Sequence, residues 1–426
     1  MMSLFTPVRL RRLAGFVSTQ VAVQALGFVS GIVLVRAMAP AEYGYYTLAI
    51  TLVGVASVLT ELGLATAVLA LGGRLAGTTG ALAGLVADAT ALHRRMAAIG
   101  LGLVLPAFVL LMLHQQAPLP QALALALLGG ACAWCQVRSA IALSVARLAG
   151  DLARQQALDL AVGLARLAAL ALAAPWLLDA TVAGAVNLLA AAATFLAWRR
   201  YLAARAGAEA PRDAPGTQTP ALREAVARQA PNCIYYVVNG QLAIWLIALF
   251  GTADRVAEIG ALGRLGAGFA VIAAVIGAVI QPYFARNHGV AALESGFLAV
   301  NAFFAALLAG LVGLAWAFPA EILWVLGGHY ARLGPELRWM MAAVSLTAWS
   351  GALYSIGCGR GWVLPGRLGI GCGLAATLLG IRCFDLATVA GNLALNVLTA
   401  GVGTVVTFAY VGGCLLRYRR TRLIAS

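Results

Sequence analysis

Apolar residues occupy this chain in blocks of about twenty, separated by short polar breaks, from one end to the other. A helix needs about 20 apolar residues to cross a hydrocarbon core of ~30 Å. By that measure the pattern predicts twelve membrane spans, at 14–36, 45–70, 97–113, 121–146, 155–174, 179–198, 228–250, 257–284, 296–318, 337–358, 366–381 and 386–416. The third and eleventh are short and the last is long, so the count lies between eleven and thirteen. The longest polar stretch, 199–224, contains Ala210-Pro-Arg-Asp-Ala-Pro-Gly-Thr-Gln-Thr-Pro220 at mid-chain and reads as a flexible linker. Six spans precede it and six follow. The division expected is a first lobe over 1–205, a cytoplasmic linker over 206–222 and a second lobe over 223–426. Between spans 2 and 3, residues 71–96 read as a surface helix along the membrane interface.

The halves resemble weak repeats. The turn Ala39-Pro-Ala-Glu-Tyr-Gly44 joins spans 1 and 2, and Gly251-Thr-Ala-Asp-Arg-Val256 joins spans 7 and 8, with a long apolar helix following each. Both halves start at the same face, so the repeat is parallel. Substrate sites in such proteins lie near the midplane between the halves.

Composition agrees with the pattern. The chain is 62% hydrophobic and 10% charged, whereas soluble chains carry roughly 25% charged residues. A soluble enzyme, a disordered chain and a nucleic-acid-binding module are excluded, and an all-α polytopic membrane protein remains. The formal charge is +14, with 29 basic residues, every one of them arginine. With the N-terminus inside, twenty-one arginines fall in inner segments, five in outer segments (Arg36, Arg255, Arg332, Arg338 and Arg382) and three within spans. This asymmetry predicts an even number of spans with both termini in the cytoplasm. Arg9, Arg11 and Arg12 before an apolar stretch ending Ala37-Met38-Ala39 imitate a signal peptide. The stretch is too long for one and Pro40 follows the cleavage point, so it reads as the first span.

No metal or cofactor chemistry emerges. The seven cysteines sit almost wholly in apolar runs, and Cys132-Ala-Trp-Cys135 has no second pair. His93, His114, His288 and His329 read as loop residues far apart in sequence. Without lysine there is no Walker lysine, and Gly371-Cys-Gly373 follows no strand. Energy for any transport then comes from an ion gradient, a partner or consumption of the product.

Intramembrane charges are the candidate chemistry, because each costs about 2.5–3.5 kcal/mol at the bilayer centre on insertion scales. Arg138 lies in the inner third of span 4, Arg166 near the middle of span 5, and Arg264 in span 8, ~10 Å below the outer surface at 1.5 Å per residue. Glu61 in span 2 and Asp159 in span 5 lie in the inner half. Three arginines against two acids suit a cavity for an anionic substrate such as a phosphate, pyrophosphate or acidic sugar. Internal salt bridges, for example Glu61 with Arg138, are the competing reading. Among uncharged groups, Gln20 and Gln24 share a face of span 1, Asn232 and Asn239 one of span 7 with Gln241 nearby, and Asn392 and Asn396 one of span 12. Interhelical hydrogen bonding is the commoner role of such amides. Gln24, Asn239 and Gln241 join the candidate cavity set because spans 1 and 7 are equivalent in the repeat.

The run Leu26-Gly-Phe-Val-Ser-Gly-Ile-Val-Leu-Val-Arg36-Ala-Met-Ala-Pro40-Ala-Glu-Tyr-Gly44-Tyr-Tyr-Thr-Leu-Ala49 resembles the start of the polysaccharide transporter family. These are the Wzx-like oligosaccharide flippases of the multidrug/oligosaccharidyl-lipid/polysaccharide exporter superfamily. Glu61-Leu-Gly-Leu64 is similar to an acidic-Leu-Gly-Leu pattern common there, and Ile259-Gly-Ala-Leu-Gly-Arg264-Leu265 to a segment after the family's seventh helix. The resemblance implies about twelve transmembrane helices in two six-helix lobes around a central cationic cavity. It also implies alternating access that carries an undecaprenyl-pyrophosphate-linked oligosaccharide to the outer leaflet of a bacterial inner membrane, for surface polysaccharide biosynthesis. Its partners would be the lipid-linked oligosaccharide, membrane lipids, a polysaccharide polymerase and glycosyltransferases, with no nucleic acid. Arg166 and Arg138 would attract the phosphates and Arg264 would hold the headgroup on its way out.

Two other readings compete. A membrane-embedded polymerase or ligase would gather acids, His or Arg in a sizeable outer loop, and the largest here, 319–336, is short. A cation-coupled drug antiporter of the same superfamily would share the fold and differ in its cavity.

Overall fold

The computed structural model describes residues 7–75, 81–175, 178–206, 217–267, 280–286, 289–362 and 364–424. Among them every regular element is helical. In chain order the α-helices are α1 (Pro7–Ala37), α2 (Pro40–Glu61), α3 (Leu64–Arg74), α4 (Ala81–His114), α5 (Leu119–Leu148), α6 (Leu152–Ala173), α7 (Ala180–Ala206) and α8 (Thr219–Phe250). They continue as α9 (Ala253–Ala267), α10 (Gln281–Arg286), α11 (Val290–Ala317), α12 (Pro319–Trp324), α13 (Gly334–Arg360), α14 (Gly366–Cys383) and α15 (Val389–Ile424). Ten of these helices are long and apolar enough to cross a membrane. The other two expected spans correspond to the 18-residue α14 and to 257–284, of which 268–279 lies outside the described residues. Arg212 and His288 also lie outside them.

Local chemistry sets the helix starts. Proline occupies the first turn of α2, α5, α12 and α13, where its missing N–H costs nothing and its fixed φ favours helix. Asp179 caps α7 by accepting the Val182 N–H at 2.7 Å. The end of α13 is a Schellman motif. The Trp362 N–H reaches the Gly357 carbonyl at 2.8 Å, and the Gly361 N–H reaches that of Cys358, with Gly361 at φ +74°.

The chain divides into two compact units, Met1–Leu249 and Phe250–Ser426. In the first, α5 packs on α2, α3, α4 and α7, while α1 packs on α6. A buried cluster of Leu64, Val68, Leu85, Ala89, Val137 and Ile141 takes in Leu222 and Val226 of α8. Asp88 of α4 accepts the Gln218 N–H at the start of α8, at 2.9 Å. At the other end of α8, Gln115 donates to the Ala248 carbonyl and the His114 ring meets that of Leu249. In the second unit α13 packs on α9, α10, α11 and α15, and α14 on α15. Its core gathers Phe284, Phe297, Leu353, Ile356, Val411 and Leu415.

Three expectations need correction. The run 45–70 is not one helix: Leu62 at φ +43° and Gly63 at φ +80° end α2 and start α3. Hydropathy is blind to this break, because both residues suit an apolar span. Residues 81–96 are not a separate surface helix. They are the first half of the continuous 34-residue α4, whose Leu82, Leu85, Val86, Ala89, Leu92 and Met96 form a helical stripe on the buried cluster. His93 is accordingly no loop residue; it is fully buried inside α4 with its ring 4.8 Å from that of Trp134.

Candidate functional site

Seven of the eight candidate cavity residues lie in the first unit: Gln24 on α1, Glu61 on α2, Arg138 on α5, Asp159 and Arg166 on α6, and Asn239 and Gln241 on α8. Arg264 lies on α9 in the second unit, half-buried.

Arg166 is held by a polar node that the sequence reading missed. Its Nη2 donates to the Tyr46 hydroxyl at 3.4 Å, and Asn187 Nδ2 donates to the same oxygen at 3.0 Å. Tyr46 of α2 is fully buried, so three helices converge on one phenolic oxygen. A narrow crevice between α2, α5 and α7 opens beside the node, lined by Tyr46, Val53, Leu125, Gly129, Cys132 and Asn187 among others. The Nε of Arg166 is buried and makes no hydrogen bond. Asn187 was findable: it is the lone amide in the apolar run 179–198.

Arg138 has a different environment. Its guanidinium lies over the Trp134 ring, 5.7 Å from the centroid, a contact in which the π-face attracts the cation. Its Nη1 is buried and unpartnered. Among the described residues neither Arg138 nor Arg166 stands within ion-pair distance of a carboxylate; the ion pairs there include Arg228–Glu224, Arg332–Glu258 and Arg419–Glu294.

Both acids are engaged locally instead. Glu61 accepts the backbone N–H of Ala65 in the first turn of α3, which serves the orphan donors of that helix start. Asp159 accepts from Gln155 one turn earlier on α6. The anticipated Glu61–Arg138 bridge is not formed. Gln241 lies against α2, its Nε2 3.7 Å from where a β-carbon on Gly54 would stand.

Two further polar contacts tie helix ends together. Glu42, at the start of α2, accepts from Gln121 Nε2 on both carboxylate oxygens (3.0 and 2.8 Å) and from the Ala180 N–H at 2.9 Å. It thus joins α2, α5 and α7 and places a negative charge at the positive end of α7. In the second unit Arg332 pairs with Glu258. That hydrogen bond, with the carboxylate charge behind it, holds the exposed Arg332 guanidinium above its ordinary pKa.

No family model and no curated protein matches the sequence. Solved structures do. An inward-facing multidrug-resistance MATE-family transporter of the MOP superfamily aligns with a TM-score of 0.70 at 15% identity, covering 93% of this chain and 96% of that one. The lipid II flippase MurJ, in an inward closed conformation, aligns with a TM-score of 0.71 at 10% identity over 96% and 90%. A MOP-superfamily transporter from Pyrococcus furiosus, described as having a binding pocket of reversed polarity, aligns with a TM-score of 0.62 at 14% identity, covering 95% of this chain and 94% of that one. The chain therefore has the fold of MOP-superfamily transporters and is a multi-pass membrane protein.

Proposed function

We propose that this chain is an alternating-access flippase that carries a lipid-linked oligosaccharide, joined through undecaprenyl pyrophosphate, from the inner to the outer leaflet of a bacterial plasma membrane. In this reading both termini are in the cytoplasm, which the arginine asymmetry supports. The fold serves both a drug exporter and a lipid II flippase, so the choice between cargoes rests on the charge of the interior. The carrying observation is that Arg138 and Arg166, both within membrane-spanning helices, have buried N–H groups without partners and no carboxylate beside them. A cationic drug would be repelled by such a lobe. A pyrophosphate supplies acceptors for the N–H groups of both guanidiniums that have none.

In this mechanism Arg138 and Arg166 attract the headgroup phosphates, while the polyprenyl tail stays in the bilayer. Deleting the gene tests the proposal directly. Accumulation of lipid-linked repeat units on the inner leaflet, with loss of surface glycan, is the expected result. Unchanged glycan with altered tolerance to toxic cations would replace it with drug efflux. Arg138→Ala and Arg166→Ala should stop export while the protein still reaches the membrane; full export by either well-expressed variant would remove that arginine from the mechanism.

A further inference from the structure

Eight of the nine tryptophans fall among the described residues, and their exposure is not scattered. Trp198 is buried, and Trp134, Trp245, Trp349 and Trp362 are half-buried. The three exposed ones are Trp316 (68%), Trp324 (72%) and Trp339 (43%), joined by Phe318. Trp316 is the penultimate residue of α11, Trp324 the last of α12, and Trp339 the sixth of α13. At 1.5 Å per residue all three stand within ~8 Å of one end of the second unit.

The backbone that carries them is pinned from within. Leu323, Leu326, Tyr330, Leu333 and Leu337 are all buried beneath the segment, and Arg332 ties it to Glu258 of α9 at 2.5 Å. The rings outside therefore sit on a fixed platform. Between them in sequence Arg332 is exposed, which puts a guanidinium in the same segment as the indoles. Elsewhere the exposed large side chains are chiefly Leu, Ile, Val and Phe, such as Leu103, Leu127, Leu172 and Leu189, as suits a surface facing acyl chains.

An indole has an apolar body and one N–H donor, so it is most stable where hydrocarbon gives way to headgroups, and there it is enriched. A guanidinium at the same level meets lipid phosphates. We infer that the end of the second unit formed by α11, α12 and α13 is an interfacial anchor, seated in the headgroup–acyl boundary of the bilayer by Trp316, Trp324 and Trp339. Among the described residues the first unit exposes no tryptophan, so this anchor belongs to one unit alone. The inference is independent of the cargo.

The full-length protein, reconstituted in phosphatidylcholine vesicles, tests it by tryptophan fluorescence. The vesicle lipids carry bromine either high or low on the acyl chain. The emission lost in the variant Trp316→Phe/Trp324→Phe/Trp339→Phe isolates the three rings. That component should be quenched more by shallow than by deep bromine. Stronger quenching by deep bromine would place the rings in the hydrocarbon core and overturn the anchor. Quenching by aqueous iodide alone, or by neither agent with chain self-association that the triple variant abolishes, would overturn it too, in favour of a water-facing patch or a contact between copies.

Discussion

The side chain of Gln229 on α8 lies directly over Gly63, its Oε1 2.3 Å and its Cβ 3.2 Å from where a β-carbon on that glycine would stand. The glycine is needed twice, once for φ +80° and once for the approach of α8. Gly63→Ala should therefore destabilise the first unit by about 2 kcal/mol, combining left-handed strain with overpacking. A thermal melt in detergent measures this. Adding Gln229→Ala should recover part of the loss, because the backbone strain stays.

Gly357 and Gly361 separate the same two effects. A β-carbon on Gly357 would stand 2.5 Å from the Trp362 carbonyl oxygen, which belongs to the backbone, while one on Gly361 meets nothing within 4 Å. Gly361→Ala should cost about 1 kcal/mol through its positive φ alone. Gly357→Ala should cost more and shift the rings of Trp362 and Tyr418, which lie 5.9 Å apart. Melting temperatures of the two variants, side by side, check the order.

Glu42 is the acceptor for three N–H contacts from α5 and α7. Glu42→Ala leaves those donors without their carboxylate and should cost about 1–3 kcal/mol. Glu42→Gln, which keeps one acceptor oxygen, should fall between. Hydrogen exchange at the first turn of α7 should rise in the same order.

Tyr46→Phe removes only the oxygen on which Arg166 and Asn187 converge. If Arg166 binds the headgroup, transport per folded molecule should fall about tenfold, the equivalent of ~1.4 kcal/mol, beside a loss of about 1–3 kcal/mol of stability from the two donors left without their acceptor. A flipping assay with labelled lipid-linked substrate reads the first, and an unchanged rate would detach the node from transport.

What hydropathy revealed and what it hid follow from its physics. The spans 121–146 and 155–174 match α5 and α6 to within a few residues, because polar breaks bound them and helix is the form that satisfies every backbone group in lipid. The break at Leu62–Gly63 depends on backbone sign, which apolarity does not encode. α4 was divided because Asp88, His93, Arg94 and Arg95 look like the end of a span, although a helix can continue past the membrane. Arg138 and Arg166 stood out as isolated charges. The partners that define their surroundings, Trp134, Tyr46 and Asn187, come from two other helices and from one turn away, and one-dimensional reading does not bring them together.

The length of α4 has a consequence for how the first unit unfolds. Its 34 residues make a rod of ~51 Å, against ~30 Å of hydrocarbon, so roughly two-fifths of it extends beyond the hydrocarbon. That portion, with Leu85 and Ala89, packs on Leu64, Val68, Leu222 and Val226. Outside the bilayer the hydrophobic effect drives such packing, whereas between helices in lipid that driving force is absent. One continuous helix thus joins two regions held by different forces. Urea should loosen the aqueous core first, and a change of lipid should act first on the remainder.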